Sequence, residues 1–405
     1  MRIPIIVLVV GLCLSFILDF YIWRVVKARF KSRIYSRRLQ IVSAIVLWVF
    51  LAVAVSLPRR SGSDETLQCI MWMLFGYMTV YGAKLVFVVF DLISSVPRLW
   101  RGSRMRWLGC VGAIASILTF AAMWWGALIN RYSHQIVEEN IYIENLPDGF
   151  DGFRIVQISD LHTGTYGGDT TYLAKIVSIV NGLRPDVILF TGDIVNRHMA
   201  EIEPHLETLR HFKSPAGVYA VLGNHDYGDY SDWKSEESKQ ADFQSLIRHI
   251  RADLGWKLLL NEYAMLRAGG DSIALIGVEN VGDPPFKTYG SLSRAYPTPG
   301  DSSVKILMTH NPAHWVDSIR NNHDVNIALT LSGHTHAMQM EVAGISPAAL
   351  RYETWGGLYK DSIKGRNQHQ LYVNIGIGTV GLPMRIGATP EITVLTLKKS
   401  QAVAE

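Results

Sequence analysis

The first 131 residues hold four long apolar runs, at about 3–23, 39–57, 67–90 and 107–129. Nothing else in the chain limits its fold so strongly. Each run is close to the ~20 residues that a helix needs to cross a bilayer core. An all-α transmembrane bundle of four helices is therefore expected over residues 1–131. A buried soluble bundle is the competing reading, and four such runs in one block disfavour it. Asp19 and Lys84 interrupt the runs near their ends, where a polar head is expected to reach the interface. The first run does not resemble a cleavable signal peptide, because its charge cluster follows the apolar stretch and no small-residue cleavage site is evident.

Charge divides the chain at the same place. Residues 1–131 carry sixteen Lys/Arg against four Asp/Glu, and the rest carries twenty-three against thirty-one, so +12 precedes −8. The acidic second part argues against nucleic acid as a partner, since such binding leans on Lys and Arg at phosphates. Cys13, Cys69 and Cys110 all lie in the apolar part, which leaves the second part without a disulfide framework or a thiolate metal site. Loop charge also orients the spans. The loops around 24–38 and 98–106 hold eleven Lys/Arg, whereas the loop between them holds only Arg59 and Arg60. Cationic loops stay in the cytoplasm. Both ends of a four-span bundle are then expected to lie outside, with the second part on the extracytoplasmic side of the membrane.

Residues 132–150 read as a short linker ending in the turn Leu146-Pro147-Asp148-Gly149, and 151–400 as an α/β domain. Short β-branched runs alternate there with helical patterns. Helices are expected at 172–183, 202–212 and 231–251. Strands are expected at 154–158, 187–190, 218–222, 304–308, 327–331, 371–375 and 392–397, with a pair at 257–266 and 272–278. Continuous apolar runs such as Val187-Ile188-Leu189-Phe190 suit strands covered on both faces.

Five of these strands end in metal-type donors: Asp160 and His162, Asp193, Asn224, His310, then His334 and His336. A single Asp-x-His pair is as readily a turn-capping carboxylate beside an ordinary histidine. Recurrence at the carboxyl ends of five strands, where α/β sheets collect ligand groups, changes that reading. Gly192, Gly223 and Gly333 are expected to let the backbone turn so that each side chain faces a shared mouth. His225 follows Asn224 directly, and the eight other histidines, among them His198, His205, His249 and His369, follow no apolar strand and glycine. Oxygen and imidazole donors without thiolates suit Mn, Fe or Zn. Seven ligands exceed one tetrahedral ion and fit two ions sharing a carboxylate.

The ordered series Asp160-x-His162, Gly192-Asp193, Gly223-Asn224-His225-Asp226, His310 and Gly333-His334-x-His336 resembles the calcineurin-like metallophosphoesterase superfamily, and most nearly its membrane-attached bacterial subgroup. The resemblance covers about 153–397, including the late segment from Gly376 to Ile392. It implies a two-sheet αββα sandwich and a dinuclear centre. One ion would be held by Asp160, His162, Asp193 and His336, and the other by Asp193, Asn224, His310 and His334. Asp193 would bridge them. His225 would face the phosphate, with Asp226 orienting it. The chain departs from its relatives at Ala337-Met338, where two glycines are usual, and at Ile375, where an arginine or polar residue is common. Those side chains are expected to bear on substrate fit. Arg385 is expected to form a structural salt bridge rather than an anion contact.

The activity implied is hydrolysis of a phosphodiester or lipid-headgroup phosphate by metal-bound hydroxide. The partners implied are the bilayer and a small-molecule or lipid phosphoester. Some relatives cleave the pyrophosphate of a UDP-diacylglucosamine lipid precursor, which is the enzymatic alternative. The alternative of another class is a non-catalytic membrane module that keeps the fold, and the intact ligands and His225-Asp226 pair argue against it. Residues 348–357, with Leu350, Tyr352 and Trp355, form a loop suited to lipid contact, pocket lining or ordinary packing.

Overall fold

The computed structural model describes residues 5–29, 34–284, 286–298, 303–322, 325–361 and 369–400. The chain falls into two compact units, Met1–Ile129 with Gly381–Met384, and Asn130–Val380 with Arg385–Glu405.

The first unit contains α1 (Ile5–Arg29), α2 (Ile34–Ser56), α3 (Asp64–Ser95) and α4 (Arg106–Leu128). Among the described residues, four helices are long and apolar enough to cross a membrane. Their outward faces are rich in exposed Val, Ile, Leu and Phe, as lipid contact requires. The two interrupting charges do not reach separately for the interface as expected. They pair with each other, Lys84 Nζ lying 2.6 Å from Asp19 Oδ1. Asp19 also accepts from the Tyr81 hydroxyl at 2.6 Å, Trp48 Nε1 at 3.2 Å and Gln40 Nε2 at 3.3 Å. One carboxylate on α1 thus ties in α2 and α3. A second buried carboxylate, Asp91, accepts from the Tyr21 hydroxyl at 2.7 Å and pairs with Arg104. Polar groups surrounded by hydrocarbon must find partners within the bundle, and these do.

The second unit stacks two sheets. The first has the order β1-β12-β2-β3-β4-β5, from β1 (Gln135–Ile143), β12 (Glu391–Lys399), β2 (Arg154–Ile158), β3 (Val187–Phe190), β4 (Val218–Ala220) and β5 (Lys257–Leu258). The second has the order β10-β11-β9-β8-β7-β6, from β10 (Gly357–Lys360), β11 (Gln370–Val373), β9 (Leu329–Ser332), β8 (Lys305–Met308), β7 (Asp271–Gly277) and β6 (Glu262–Ala268). Strands β2, β3 and β4 run parallel, and so do β7, β8 and β9. Side chains alternate between two buried faces. Ile155 and Leu189 enter the inter-sheet layer with Leu275, Ile306 and Leu331. Val156, Ile188 and Phe190 point the other way, against α5 (Thr171–Gly182) and α7 (Glu236–Arg248). Across the molecule, Ile276, Leu307 and Leu371 pack beside α8 (Leu292–Ala295) and α9 (Ala313–Ser318). The result is the αββα sandwich, and its continuous apolar strands follow from burial on both faces.

Several local readings change. The linker at 132–150 contains the nine-residue strand β1, parallel to β12 from Gln135↔Glu391 to Ile143↔Lys399. The run 202–212 breaks at Pro204 into a 3-10 turn, Glu203–His205, and the four-residue α6 (Leu206–Leu209). The helix expected from 231 starts only after Ser235, whose hydroxyl forms a capping box with Ser238. The strand expected at 257–266 divides at Asn261, so β5 joins one sheet and β6 the other.

The Asp19–Lys84 pair gives a test of the bundle. Lys84→Met leaves the Asp19 carboxylate without its cation and is expected to destabilise the unit by roughly 3 kcal/mol. The double variant Asp19→Leu/Lys84→Met should recover most of that loss. Thermal unfolding in detergent checks this; equal losses in single and double variants contradict the pairing.

Candidate metal centre

The carboxyl ends of parallel strands from both sheets meet at one place. Asp160 and His162 follow β2, Asp193 follows β3, Asn224 and His225 follow β4, His310 follows β8, and His334 and His336 follow β9. Two buried sets of donors result, Asp160–His162–His336 and Asp193–His310–His334, with the ligand atoms in each set within 4.8 Å of one another. Carboxylates lie between the sets. Asp193 Oδ2 is 3.1 Å from His310 Nε2 and 3.6 Å from His162 Nε2. Asp160 Oδ1 is 3.2 Å from His336 Nε2. His162 and His336 face each other through Nε2 atoms 3.0 Å apart, and His334 Nδ1 lies 3.3 Å from His310 Nε2. Imidazole nitrogens converging on buried carboxylates suit a cation.

The backbone is bent to achieve this. Asp160, His162, Asp193, His334 and His336 all adopt positive φ, between 48° and 76°. A non-glycine residue held there costs on the order of 1–3 kcal/mol, and such strain gathers at functional sites. The glycines act differently from one another. Gly192 has φ 101°, as a sharp turn requires, whereas Gly223 and Gly333 are needed for close approach. A Cβ on Gly223 would sit 2.1 Å from Asp193 Oδ1, and one on Gly333 would sit 2.3 Å from Asp160 Oδ2. Surrounding bonds hold the ligands in place. His310 Nδ1 donates to the Thr191 carbonyl at 2.8 Å, which aims Nε2 at Asp193. The His334 amide donates to Asp160 Oδ2 at 3.1 Å, and the His225 amide donates to Asp193 Oδ1 at 2.8 Å.

Electrostatics follow the same arrangement. Burial pushes the Asp160 and Asp193 carboxyls up, but the neighbouring imidazoles outweigh it and hold both below the usual carboxylate range. For His310, burial works downward and the Asp193 carboxylate overcomes it, raising the imidazole to about 9.

Asn224 is recognisable as a donor by what it leaves open. Its Nδ2 gives a hydrogen bond to the Tyr230 hydroxyl at 2.8 Å, while its Oδ1 is buried with no hydrogen-bond partner. Tyr230 also stacks on His225, with ring centroids 4.2 Å apart. The sequence reading missed this tyrosine, whose only signal is its place six residues beyond Asn224. Tyr352, from the loop expected to contact lipid, line a pocket or pack, has its hydroxyl 3.4 Å from His334 Nε2, whereas Phe286, whose ring centroid lies 4.7 Å from that of His334, carries no sequence signal.

Other expectations need correction. Asp226 does not orient His225. Its carboxylate accepts from the amides of Asp193, Ile194, Val195 and Gly223, bracing the loops after β3 and β4. His225 Nδ1 instead donates to the Asn196 carbonyl at 2.6 Å. Burial lowers the His225 pKa, and Asp193 and the Asn196 carbonyl partly oppose it. Among the described residues, Arg385 forms no carboxylate salt bridge. It is fully buried, donates to the carbonyls of Gly378, Ala388 and Ile375, and lies 3.0 Å from His336 Nδ1. Ala337 and Ile375 pack together away from solvent, whereas Met338 points outward. Ala337, Met338 and Gln339 keep φ of 50°, 46° and 59°, the left-handed conformations that glycines would adopt more cheaply.

Parallel strand ends that gather buried carboxylates and imidazoles in an αββα sandwich define a metal-dependent phosphoesterase. The chain belongs to the calcineurin-like metallophosphoesterase family. Residues 153–338 match the model of calcineurin-like phosphoesterases, and residues 1–131 match a second one, described as the transmembrane domain of a probable calcineurin-like phosphoesterase. An uncharacterized metallophosphoesterase of Bacillus subtilis, YkuE, is 32% identical over 309 residues, covering 74% of this chain and 98% of that protein. A Danio rerio transmembrane protein with metallophosphoesterase domain is 28% identical over 398 residues, 94% of this chain and 86% of its own. UDP-2,3-diacylglucosamine pyrophosphatase LpxG of Chlamydia trachomatis is 28% identical over 337 residues, 71% and 97% respectively. The family uses a dinuclear metal centre, and the two donor sets fit one.

The Tyr230 contact predicts a separable effect. Tyr230→Phe keeps the ring against His225 but frees the Asn224 amide to rotate. Metal titration should show one of two equivalents binding more weakly, with unchanged far-ultraviolet circular dichroism. Two unchanged affinities contradict this positioning role.

Proposed function

We propose that the chain is a membrane-anchored phosphoesterase whose two metal ions are held by Asp160, His162, Asp193 and His336, and by Asp193, Asn224, His310 and His334. The observation that carries this reading is Asp193, whose Oδ2 lies within 3.6 Å of an imidazole from each donor set. Mn, Fe or Zn suits these ligands. Such a pair supplies Lewis-acid polarisation of the phosphoryl group and a nucleophile at neutral pH. The chain's own residues do the rest. The Asn196 carbonyl can only accept, so it fixes a proton on His225 Nδ1 and leaves Nε2 to face the substrate, where a second proton carried by the imidazolium would pass to the leaving oxygen. Asp226 keeps the loops after β3 and β4 at fixed separation. Phe286 and Tyr352 pack edge-on against the His334 ring.

The substrate we favour is a phosphodiester or lipid-headgroup phosphate. Four apolar helices precede the domain in the same chain, and the last ends seven residues before β1 begins. Similarity to LpxG favours a second reading, cleavage of a UDP-diacylglucosamine pyrophosphate. Topology separates the two. The loop charges support a domain on the extracytoplasmic side of a bacterial cell membrane, away from cytoplasmic nucleotide-linked precursors.

Turnover tests the first part. The detergent-solubilised full chain with Mn should hydrolyse an aryl phosphodiester. Asp193→Asn should lose metal and nearly all turnover together. His225→Ala should keep both ions yet slow turnover by ~100- to 10,000-fold, less for good leaving groups. Full metal content and normal turnover in Asp193→Asn contradict the assignment.

Topology is checked with a single cysteine at Ser235 in a chain whose native cysteines are replaced by serine. A membrane-impermeant thiol reagent should label it in intact cells or spheroplasts. Labelling only after lysis of the inner membrane refutes the outward placement and restores the precursor reading.

A further inference from the structure

The stretch from Met338 to Leu350, immediately after the last metal-type histidine, is unlike the rest of its unit. Among the described residues beyond Ile129, the exposed large hydrophobic side chains are Ile136, Tyr142, Tyr263 and four on this stretch: Met338, Val342, Ile345 and Leu350. The last three are 64%, 75% and 93% exposed. Elsewhere such side chains are scattered singly, which is ordinary for a soluble surface. A cluster of this kind marks an interaction surface.

The cluster is built to stay exposed. Val342 and Ile345 exchange both backbone hydrogen bonds, at 2.9 and 3.1 Å, around Ala343 and Gly344, whose φ values are 52° and 77°. That is a two-residue hairpin turn, and its flanking side chains share one face. The Ser346 hydroxyl donates to the Ala337 carbonyl at 2.7 Å and accepts from the Ala348 amide at 3.0 Å. The base is tied to a second strand: Ile386 accepts from Glu341 at 2.8 Å and donates to Gln339 at 2.9 Å. A turn anchored at both ends cannot fold its apolar tips inward.

The partner follows from what adjoins that base. Asn130 follows the last residue of α4, Leu128, by two positions. Its Nδ2 donates to the Arg385 carbonyl at 3.0 Å, and its Oδ1 accepts from Thr389 at 3.2 Å. The segment 385–389 that carries Ile386 is therefore hydrogen-bonded to a residue only two positions beyond the end of α4. Two short links join Asn130, and through the chain the end of α4, to the turn.

We propose that the Met338–Leu350 stretch is a membrane-dipping lip, inserting Val342, Ile345 and Leu350 into the bilayer that holds the four helices. The lip begins two residues after His336, so it brings the lipid surface to the edge of the metal centre. Resting on the function proposed above, it selects phosphoesters presented by lipids over those free in solution. Rigid apolar turns at an interface bury their tips in the headgroup–acyl boundary, and no lid movement is needed.

The test uses the full chain with its three native cysteines changed to serine. Single cysteines replace Val342, Ile345 or, as a control on the β6–β7 hairpin, Tyr263. Each is labelled with an environment-sensitive fluorophore and reconstituted in phosphatidylcholine–phosphatidylglycerol vesicles. Positions 342 and 345 should emit at shorter wavelength than 263 and be quenched by spin-labelled lipid. Water-like emission and control-level quenching at both positions overturn the lip. So does a blue shift that lipid quencher leaves untouched, because the surface then covers protein. The variant Val342→Asp/Ile345→Asp should lose turnover on vesicle-borne lipid phosphate while hydrolysing a soluble aryl phosphodiester at an unchanged rate, which also shows that it folds. If the unmodified chain hydrolyses no lipid phosphate, the substrate reading fails, and the quenching result still decides the lip.

Discussion

The Asp193 carboxylate is the group on which the rest of the catalytic unit depends. It is buried, yet it lies within reach of imidazoles delivered by both sheets. Burying a carboxylate is costly unless it is paired and hydrogen-bonded. Here one oxygen takes the His225 amide and the other faces His310 and His162. The same requirement explains the left-handed backbone at five ligand positions and the absence of a side chain at Gly223, where a Cβ would collide with Asp193 itself. Stacking two parallel-cored sheets brings their strand ends close enough for one carboxylate to serve both.

Much of this site is legible in the sequence, because a strand buried on both faces leaves a continuous apolar run and its donors follow directly. Val187–Phe190 and then Gly192-Asp193 is one instance, and the strand before His310 is another. The supporting contacts are less legible. Asp226 and His225 are adjacent, which suggests that one orients the other. Only the folded loops show the Asp226 carboxylate turned towards four amides and His225 turned towards Asn196. Tyr230 carries no motif, and its role depends on an Asn224 amide whose orientation no spacing reveals. Strand β1 was hidden for a different reason: as an edge strand it exposes Ile136, Glu138, Asn140 and Tyr142 and keeps Gln135 and Glu139 only half-buried, so it reads as a polar tether.

In the membrane part the spans are plain from length and hydropathy, but their internal chemistry is not. Asp19 and Lys84 lie 65 residues apart, so each alone looks like a charge near a helix end. Their placement at the same side of the membrane, with opposite sign, was the available sign of a pair. The two halves of the chain are joined by a short segment, with β1 beginning seven residues after α4 ends.

The central claim is that two ions sit close enough to share Asp193. The most direct measurement is electron paramagnetic resonance of the full chain loaded with Mn(II). Two ions bridged by a carboxylate about 3.5–4 Å apart are expected to give an exchange-coupled spectrum. The uncoupled six-line spectrum of isolated Mn(II), at full metal loading, would contradict the account.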